Sequence, residues 1–179
     1  MSVTEPARAT GTWVIDKTHS SIGYAIEHNG ESKFRGSFRD VDAKLEYGES
    51  GVKISGSVNV ESVDLTDETR RGHVFSPDFF DTERFPTVDF ESSEVRYENG
   101  EVVIDGKLTL RGETKPVTVR GTIGESFENI AGGKSLVVRL HTTIDRTQYG
   151  LDWQMQMPDG RDVLGNEVHI EADLELVDA

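Results

Sequence analysis

Apolar and polar residues alternate along most of this chain. In VKISGSVNVESV, Val52, Ile54, Val58 and Val60 share one face, while Lys53, Ser55, Ser57, Asn59 and Glu61 share the other. EVVIDGKLTL sets Val102, Ile104, Leu108 and Leu110 against Glu101, Asp105 and Lys107. NEVHIEADLEL sets Val168, Ile170, Leu174 and Leu176 against Glu167, His169, Glu171, Asp173 and Glu175. KPVTVRGTIG aligns Val117, Val119 and Ile123, and KSLVVRLHTTID aligns Leu136, Val138, Leu140 and Ile144, leaving His141 and His169 on wet faces. A side-chain period of two with one wet face is the signature of half-buried antiparallel sheet. Upstream, SSIGYAIEH turns Ile22, Tyr24 and Ile26 inward. KFRGSFRDVDAKLEY turns Phe34 and Phe38 inward, then Val41, Ala43, Leu45 and Tyr47. The change of parity between Phe38 and Val41 predicts a β-bulge. Asn29-Gly30 and Asn99-Gly100 fall between strand patterns and accept positive φ at both turn centres, so both predict tight type I′ hairpins.

The alternation lapses only over Val63 to Asp81. There DETRRGHVF predicts a short helix with Asp64, Thr66 or Asp67 as N-cap, and SPDFFD a second helical turn opening on Pro77. The result is about eight strands, mostly in a meander, with a helical excursion around residues 64–82 after the third. Eight antiparallel strands can close on themselves and remove their edges. A barrel of that size has room for side chains or for one small ligand. The fold class is therefore all-β: one barrel domain over residues 12–179, preceded by a flexible arm of small and polar residues at 1–11.

Two features of the inward face ask for a reason. Gly36, Gly56, Gly106 and Gly121 lie between inward apolar neighbours, and Ala172 lies between Ile170 and Leu174. A mid-strand glycine costs roughly 0.5–1 kcal/mol against alanine. Such glycines either let strands coil at barrel corners or hollow the interior for a long apolar guest. The segment GHVFSPDFFDTERFPTVDFES also holds five of the chain's eight phenylalanines: Phe75, Phe79, Phe80, Phe85 and Phe90. Phe75, Phe79 and Phe80 are placed to close over a cavity, or alternatively to fill the gap between excursion and barrel.

Composition narrows the chemistry. With 33 acidic and 19 basic residues the formal charge is −14, which disfavours nucleic acid and anionic membrane surfaces as partners. There is no cysteine, so disulfides, thiolate metal sites and cysteine nucleophiles are excluded. No apolar run approaches a membrane span or a signal peptide, so a cytoplasmic location is expected. None of the five histidines makes a metal-binding spacing, and neither a GxGxxG fingerprint nor a Walker A loop is present, so no metal or cofactor is expected. Asp16, His19 and Ser20 lie too close in sequence to form a base-to-nucleophile line, and there is no GxSxG elbow. One local feature departs from the acidic background: Arg70, Arg71 and His73 open the excursion and Arg84 closes it. They either pair with Asp67, Glu68, Asp78 or Asp81, or offer a small positive island beside the phenylalanines to an anionic headgroup.

The motifs WVIDKTHSSIGYAIEH, FRGSF, VNVESVD, GHVFSPDFFDTERFPTVDFES, GKLTLRGETKPVTV, IDRTQYGL and VLGNEVHIEADLEL resemble, in order and spacing, those of the YceI-like family over about Trp13 to Leu176. The resemblance implies an extended lipocalin-like antiparallel barrel. It also implies non-catalytic binding, transport or sequestration of a polyisoprenoid or similar amphiphilic lipid, such as a polyprenyl phosphate or an isoprenoid quinone, in the barrel interior. The family has no short polar ligand signature, so lining residues are nominated by parity: Ile22, Tyr24, Phe34, Phe38, Val58, Phe79, Phe90, Leu108, Val119, Leu140 and Trp153. Arg70, Arg71, His73 and Arg146 are the headgroup candidates. Two alternatives are an enzyme acting on such a lipid with His19 or His73 as acid or base, and a structural barrel filled by its own side chains. An exposed aromatic rim would favour a homodimer.

Overall fold

A computed structural model describes residues 10–179. It contains eleven strands: β1 (Gly11–Ile15), β2 (Ser21–His28), β3 (Ser32–Phe38), β4 (Val41–Gly48), β5 (Gly51–Asn59), β6 (Thr87–Glu98), β7 (Glu101–Leu110), β8 (Glu113–Ile123), β9 (Phe127–Glu128), β10 (Lys134–Asp145) and β11 (Leu164–Asp178). They form one antiparallel sheet in the order β3-β2-β11-β1-β4-β5-β6-β7-β8-β10-β9, closed by a β10–β11 ladder. Most of the predicted arm, residues 1–9, lies outside the described residues, and Gly11 already belongs to β1.

The eleven strands amount to eight staves, because two staves are each broken in two. β1 and β2 pair in succession with one edge of β11, separated by Asp16–Ser20. There Asp16 accepts the Thr18 amide at 2.9 Å and the His19 Nδ1 at 2.8 Å. β3 and β4 break at Arg39–Asp40, where the parity of the inward residues changes, as the alternation requires. β9 is a two-residue extension at the edge of β10.

Of the two predicted hairpins one is as expected and one is longer. Asn99 and Gly100 (φ 51° and 85°) join Glu98 directly to Glu101, a two-residue loop. Asn29 and Gly30 (φ 58° and 72°) also adopt positive φ, but His28 pairs with Ser32, so Glu31 is an extra loop residue. The Arg111-Gly112 turn between β7 and β8 (φ 50° and 73°) lacks the asparagine that would have marked it.

The excursion leaves after β5. Its helix α1 (Glu68–Phe75) is capped by Asp67, whose carboxylate accepts the Arg70 amide at 2.8 Å. Ser76 ends α1. SPDFFD does not make a second helix; it folds into turns in which Ser76 O accepts the amides of both Phe79 and Asp81. Asp81 lies at φ 52°, outside helical space. The excursion stands beside β3, whose outer edge meets no strand of the barrel. A Phe38–Val63 bridge, with Arg39 N bonded to Ser62 O and Asp64 N to Ser37 O, fastens it there. It is a side wall, covering the edge that β5 leaves open.

The core is concentrated at one end. Trp13, Leu45, Ile104, Leu136, Val138 and Leu176 are each no more than 3% exposed and form a packed floor. A second cluster, Leu108, Leu110, Ile144, Tyr149 and Leu151, lies toward the other end.

Candidate functional site

Above the floor the barrel is hollow. A cavity of about 510 Å³ is walled by residues of all eight staves and by the excursion. All eleven apolar residues nominated by parity lie on its wall: Ile22, Tyr24, Phe34 and Phe38; Val58, Phe79 and Phe90; Leu108, Val119, Leu140 and Trp153. Ile54, Ile144, Val168, Ile170 and Leu174 also line it. They share the inward parity of the nominated residues on the same strands. Leu151, Val163 and Leu164 line it too, but they sit on or beside a loop without alternation, where no period could reveal them.

An aromatic series runs down one side. Phe34 meets Tyr24 with ring centroids 6.2 Å apart, Tyr24 meets Phe38 at 5.7 Å, and Phe38 meets Phe80 edge-on at 6.3 Å. Such pairs contribute about 0.5–1.5 kcal/mol each beyond their burial. Burial in this wall, reinforced by the Asp64 charge, pushes the Tyr24 phenol up to about 12.

The glycines divide between the two roles. A Cβ at Gly36 would stand 2.6 Å from the Tyr24 ring, and one at Gly106 would stand 2.5 Å from the Glu91 carbonyl oxygen and 2.7 Å from the Phe90 ring. At Gly121, with φ at 156°, it would overlap the Arg139 carbonyl. These three allow close approach and coiling; none lines the cavity. Gly56 and Ala172 do line it, and a Cβ at Gly56 would meet only the Asp42 carbonyl oxygen, at 3.4 Å.

The phenylalanine segment is likewise split. Phe79, Phe80 and Phe90 face the cavity. Phe75 does not close over it: the ring packs against the core with the Arg71 guanidinium 4.8 Å from its centroid. Phe85 fills the space over Gly112 and carries Arg84 at 4.9 Å.

The exposed lining residues Lys33, Arg70 and His73 gather with Phe34 and Trp153 at a mouth between the β2–β3 turn, α1 and the 151–164 loop. The His73 ring stands edge-on to Phe79 at 4.9 Å and to Trp153 at 5.1 Å, and its Nε2 lies 3.2 Å from Asp78. The Arg70 guanidinium sits 5.7 Å from the Phe34 centroid, and no carboxylate among the described residues pairs with it. Arg71, the neighbouring headgroup candidate, points elsewhere. It donates to the carbonyl oxygens of Glu61, Val63 and Leu65, tying α1 to the preceding chain, and takes no part in the wall. One helical step separates Arg70 from Arg71 by about 100°, which is why only one faces the cavity. Arg84 pairs with Asp81 at 3.3 Å.

Arg146 does reach the cavity wall, but as a clamp. At 3% exposure it donates to the carbonyl oxygens of Gly165 (2.8 Å), Leu151 (2.5 Å) and Trp153 (2.9 Å), and to the Asn166 side chain at 3.4 Å. No carboxylate contacts it, and burial lowers its pKa. The clamp holds the loop that carries Trp153 to the mouth. His19, by contrast, is on the outer surface, paired with Asp16; Ser20 Oγ turns away to the backbone of Glu175, so these residues form no triad.

A hollow eight-stave antiparallel barrel with an apolar interior and a charged mouth is a lipocalin-like architecture. The pattern of the YceI-like domain matches residues 13–176, and the chain belongs to that family. The protein YceI of Salmonella arizonae is 35% identical over 125 residues, 67% of this chain and 65% of that protein. The UPF0312 protein plu2095 of Photorhabdus laumondii is 35% identical over 122 residues, 66% of this chain and 64% of that protein. The chain thus matches a little under two thirds of each relative's length. Among solved structures, Burkholderia cenocepacia BcnA superposes with a TM-score of 0.75 at 21% identity, covering 90% of this chain and 98% of that one. A polyisoprenoid binding domain from Saccharophagus degradans superposes with a TM-score of 0.69 at 12% identity, covering 93% and 98%.

Proposed function

We propose that this protein binds a polyisoprenoid or similar amphiphilic lipid, tail inside the barrel, and carries or sequesters it without acting on it chemically. The observation that carries the reading is the 510 Å³ cavity itself, walled by branched aliphatic and aromatic side chains and open at a polar mouth. Family membership and the likeness to a polyisoprenoid binding domain support it. Burial is the mechanism. Removing roughly 500 Å² of tail surface from water is worth about 12 kcal/mol at 25 cal/mol per Å², before association costs of several kcal/mol, which puts micromolar affinity within reach. Turnover is the weaker reading. His28, His73 and His141 all touch the lining; among the described residues the His73 ring hydrogen-bonds only to Asp78, and no hydroxyl hydrogen-bonds to the ring of any of the three.

Native mass spectrometry of the purified protein, followed by organic extraction, tests the proposal. A discrete added mass that extracts as an isoprenoid, and is lost in a folded Phe79→Arg variant, is the expected result. A clean unliganded mass that does not shift on adding polyprenyl phosphates or isoprenoid quinones would overturn it. A homodimer is a separate expectation. The exposed apolar side chains Phe127 (46%) and Ile130 (110%) lie on β9 and the turn after it, so self-association there would leave the mouth free; sedimentation equilibrium tests this.

A further inference from the structure

The wall of the cavity is not equally strong all round. Around most of the barrel, neighbouring strands are joined by hydrogen-bonded ladders. Between β3 and the excursion the joining stops part-way up. At the base, Ser37 O accepts the Asp64 amide at 2.9 Å, the Ser37 amide donates to the Asp64 carboxylate at 2.9 Å, and Phe38 bridges to Val63. Over Ser32–Gly36, above that fastening, no hydrogen bond or ion pair among the described residues crosses from β3 to α1. The Arg70 guanidinium over the Phe34 ring spans the gap instead, a weak contact at a surface.

Each side of the gap is held together without the other. β3 is paired with β2 along its whole length, from Ser32 to Phe38. The excursion is tied to itself by Arg71 on the Glu61, Val63 and Leu65 carbonyl groups and by the Phe80 and Thr82 amides on Val74 O and Phe75 O, both at 3.1 Å. On its far side Arg111 donates to Pro77 O at 2.6 Å. Parting β3 from α1 therefore breaks no ladder and unfolds neither element. The other side of the mouth is firmer. There the rings of Phe79, His73 and Trp153 stand in mutual contact at 4.9, 5.1 and 5.3 Å. Arg146 holds Trp153 O at 2.9 Å, and Asp78 holds His73 at 3.2 Å.

We propose that the seam between Ser32–Gly36 of β3 and α1 is the gate of the cavity. The two elements part sideways to pass the guest, and the Phe38–Val63 bridge marks where the parting stops. This rests on the lipid-binding reading and adds to it the route of exchange. The closed seam belongs to the wall in the free and the loaded protein alike, so the gate governs rates of entry and exit and leaves the equilibrium affinity alone.

Cross-linking the seam tests it. The chain has no cysteine, so an introduced pair of thiols is unambiguous. In a Phe34→Cys, Arg70→Cys double variant, bis-maleimidoethane ties the seam, while N-ethylmaleimide on the same variant caps both thiols and leaves it free; mass spectrometry and circular dichroism verify each product. A Thr109→Cys, Thr114→Cys variant, tied in the same way across the β7–β8 ladder where the two hydroxyls stand 2.8 Å apart, is the control. The probe is all-trans-retinol, an isoprenoid alcohol that fluoresces in apolar surroundings, followed by stopped-flow mixing and displacement. Tying the seam should slow association and dissociation together, each about tenfold or more, with the dissociation constant held within about twofold, and tying the ladder should change neither rate. Unchanged rates in the tied seam would overturn the gate. So would a change in affinity carried by dissociation alone, which would make the seam a fixed wall, or equal slowing by the ladder tie. Failure of the Phe34→Cys, Arg70→Cys pair to cross-link would overturn the seam geometry itself. If retinol binds neither the unmodified protein nor any variant, the lipid-binding reading falls, and the gate with it.

Discussion

Alanine at Gly56 and at Gly106 should have opposite effects on stability, although both glycines occupy inward positions in mid-strand and read identically in the sequence. Replacing glycine removes conformational freedom from the unfolded chain, a gain of roughly 0.5–1 kcal/mol at either position. At Gly56 the new methyl group enters the cavity at ordinary contact distance, 3.4 Å from the Asp42 carbonyl oxygen, so the gain should survive. At Gly106 it would stand 2.5 Å from the Glu91 carbonyl oxygen, which belongs to a paired strand and cannot swing aside. It would also stand 2.7 Å from the Phe90 ring, whose escape lies into the cavity. Overpacking of this kind costs about 1–3 kcal/mol, and the burial of one methyl group at Gly56 adds about 0.8 kcal/mol to the contrast. The two variants should therefore differ by about 2–4 kcal/mol. With a urea slope near 2 kcal/mol/M this is a separation of about 1–2 M in midpoint. Equilibrium urea unfolding followed by far-ultraviolet circular dichroism reads it directly. If Gly106→Ala unfolds at or above the midpoint of Gly56→Ala, the division of the glycines into coiling and cavity positions is wrong.

Three further outcomes follow from named contacts. Arg146→Met should destabilise the protein by about 3 kcal/mol or more, because it strips the donors from the carbonyl groups of Leu151, Trp153 and Gly165; Arg146→Lys should recover little of this, since one ammonium cannot span the three, and urea midpoints decide it. The His19 imidazole, whose pKa is raised by its hydrogen bond to Asp16, should titrate above the ordinary histidine value by NMR and return to it in Asp16→Asn. A raised histidine stabilises fully below its unfolded pKa and loses the contribution as pH rises through the folded one, while the lowered Asp16 loses its contribution in acid, so the pair helps only between the two. Tyr24, pushed up to about 12 by burial, should ionise late in an ultraviolet titration. Its preference for the neutral form gives stability that is whole below the ordinary tyrosine value near 10 and declines by about 3 kcal/mol as pH rises toward 12, a decline absent in Tyr24→Phe.

The sequence disclosed what repeats and concealed what occurs once. Period-two alternation located the long strands other than β6 and the inward face of each, and so most of the apolar wall from Ile22 to Leu140, because a residue on the wrong face of a half-buried strand exposes its neighbours' apolar surface. The break between β3 and β4 was visible as a parity change for the same reason. Arg71 shows the limit. Within a helix of eight residues, charge and position do not say which arginine meets the cavity and which bonds to backbone carbonyl groups, since that depends on how α1 is docked. The glycines show another. Gly36 and Gly56 have the same neighbours by pattern, but Tyr24 covers one and empty space faces the other, a difference set by a rotamer on an adjacent strand. SPDFFD misled through local propensity: Pro77 suits a first helical turn, but Ser76 O takes two amides and Asp81 at φ 52° turns the chain back toward the barrel. The 151–164 loop gave no signal for Leu151, Val163 and Leu164, because its lining residues are placed by the buried clamp of Arg146 rather than by any periodicity.

The break in the β3–β4 stave is what makes a site of this barrel. Below it, β4 continues the ladder from β1 to β5, the sheet is complete and the interior is packed solid. Above it, β3 bonds only to β2, and the excursion supplies the missing wall with side chains instead of a ladder. Among the described residues no backbone hydrogen bond joins residues 32–36 to the excursion; the contacts there are the Arg70 guanidinium over Phe34 and the packing of Phe80 on Phe38. A continuous ladder fixes its spacing at about 4.8 Å and admits nothing between its strands. A seam made of aromatic and guanidinium contacts has no such constraint, and its contacts can be lost and remade one at a time. The hollow half of the molecule is thus bounded by the part of its wall that can separate without breaking the sheet, and Arg70, which pairs with no carboxylate among the described residues, stands on that boundary.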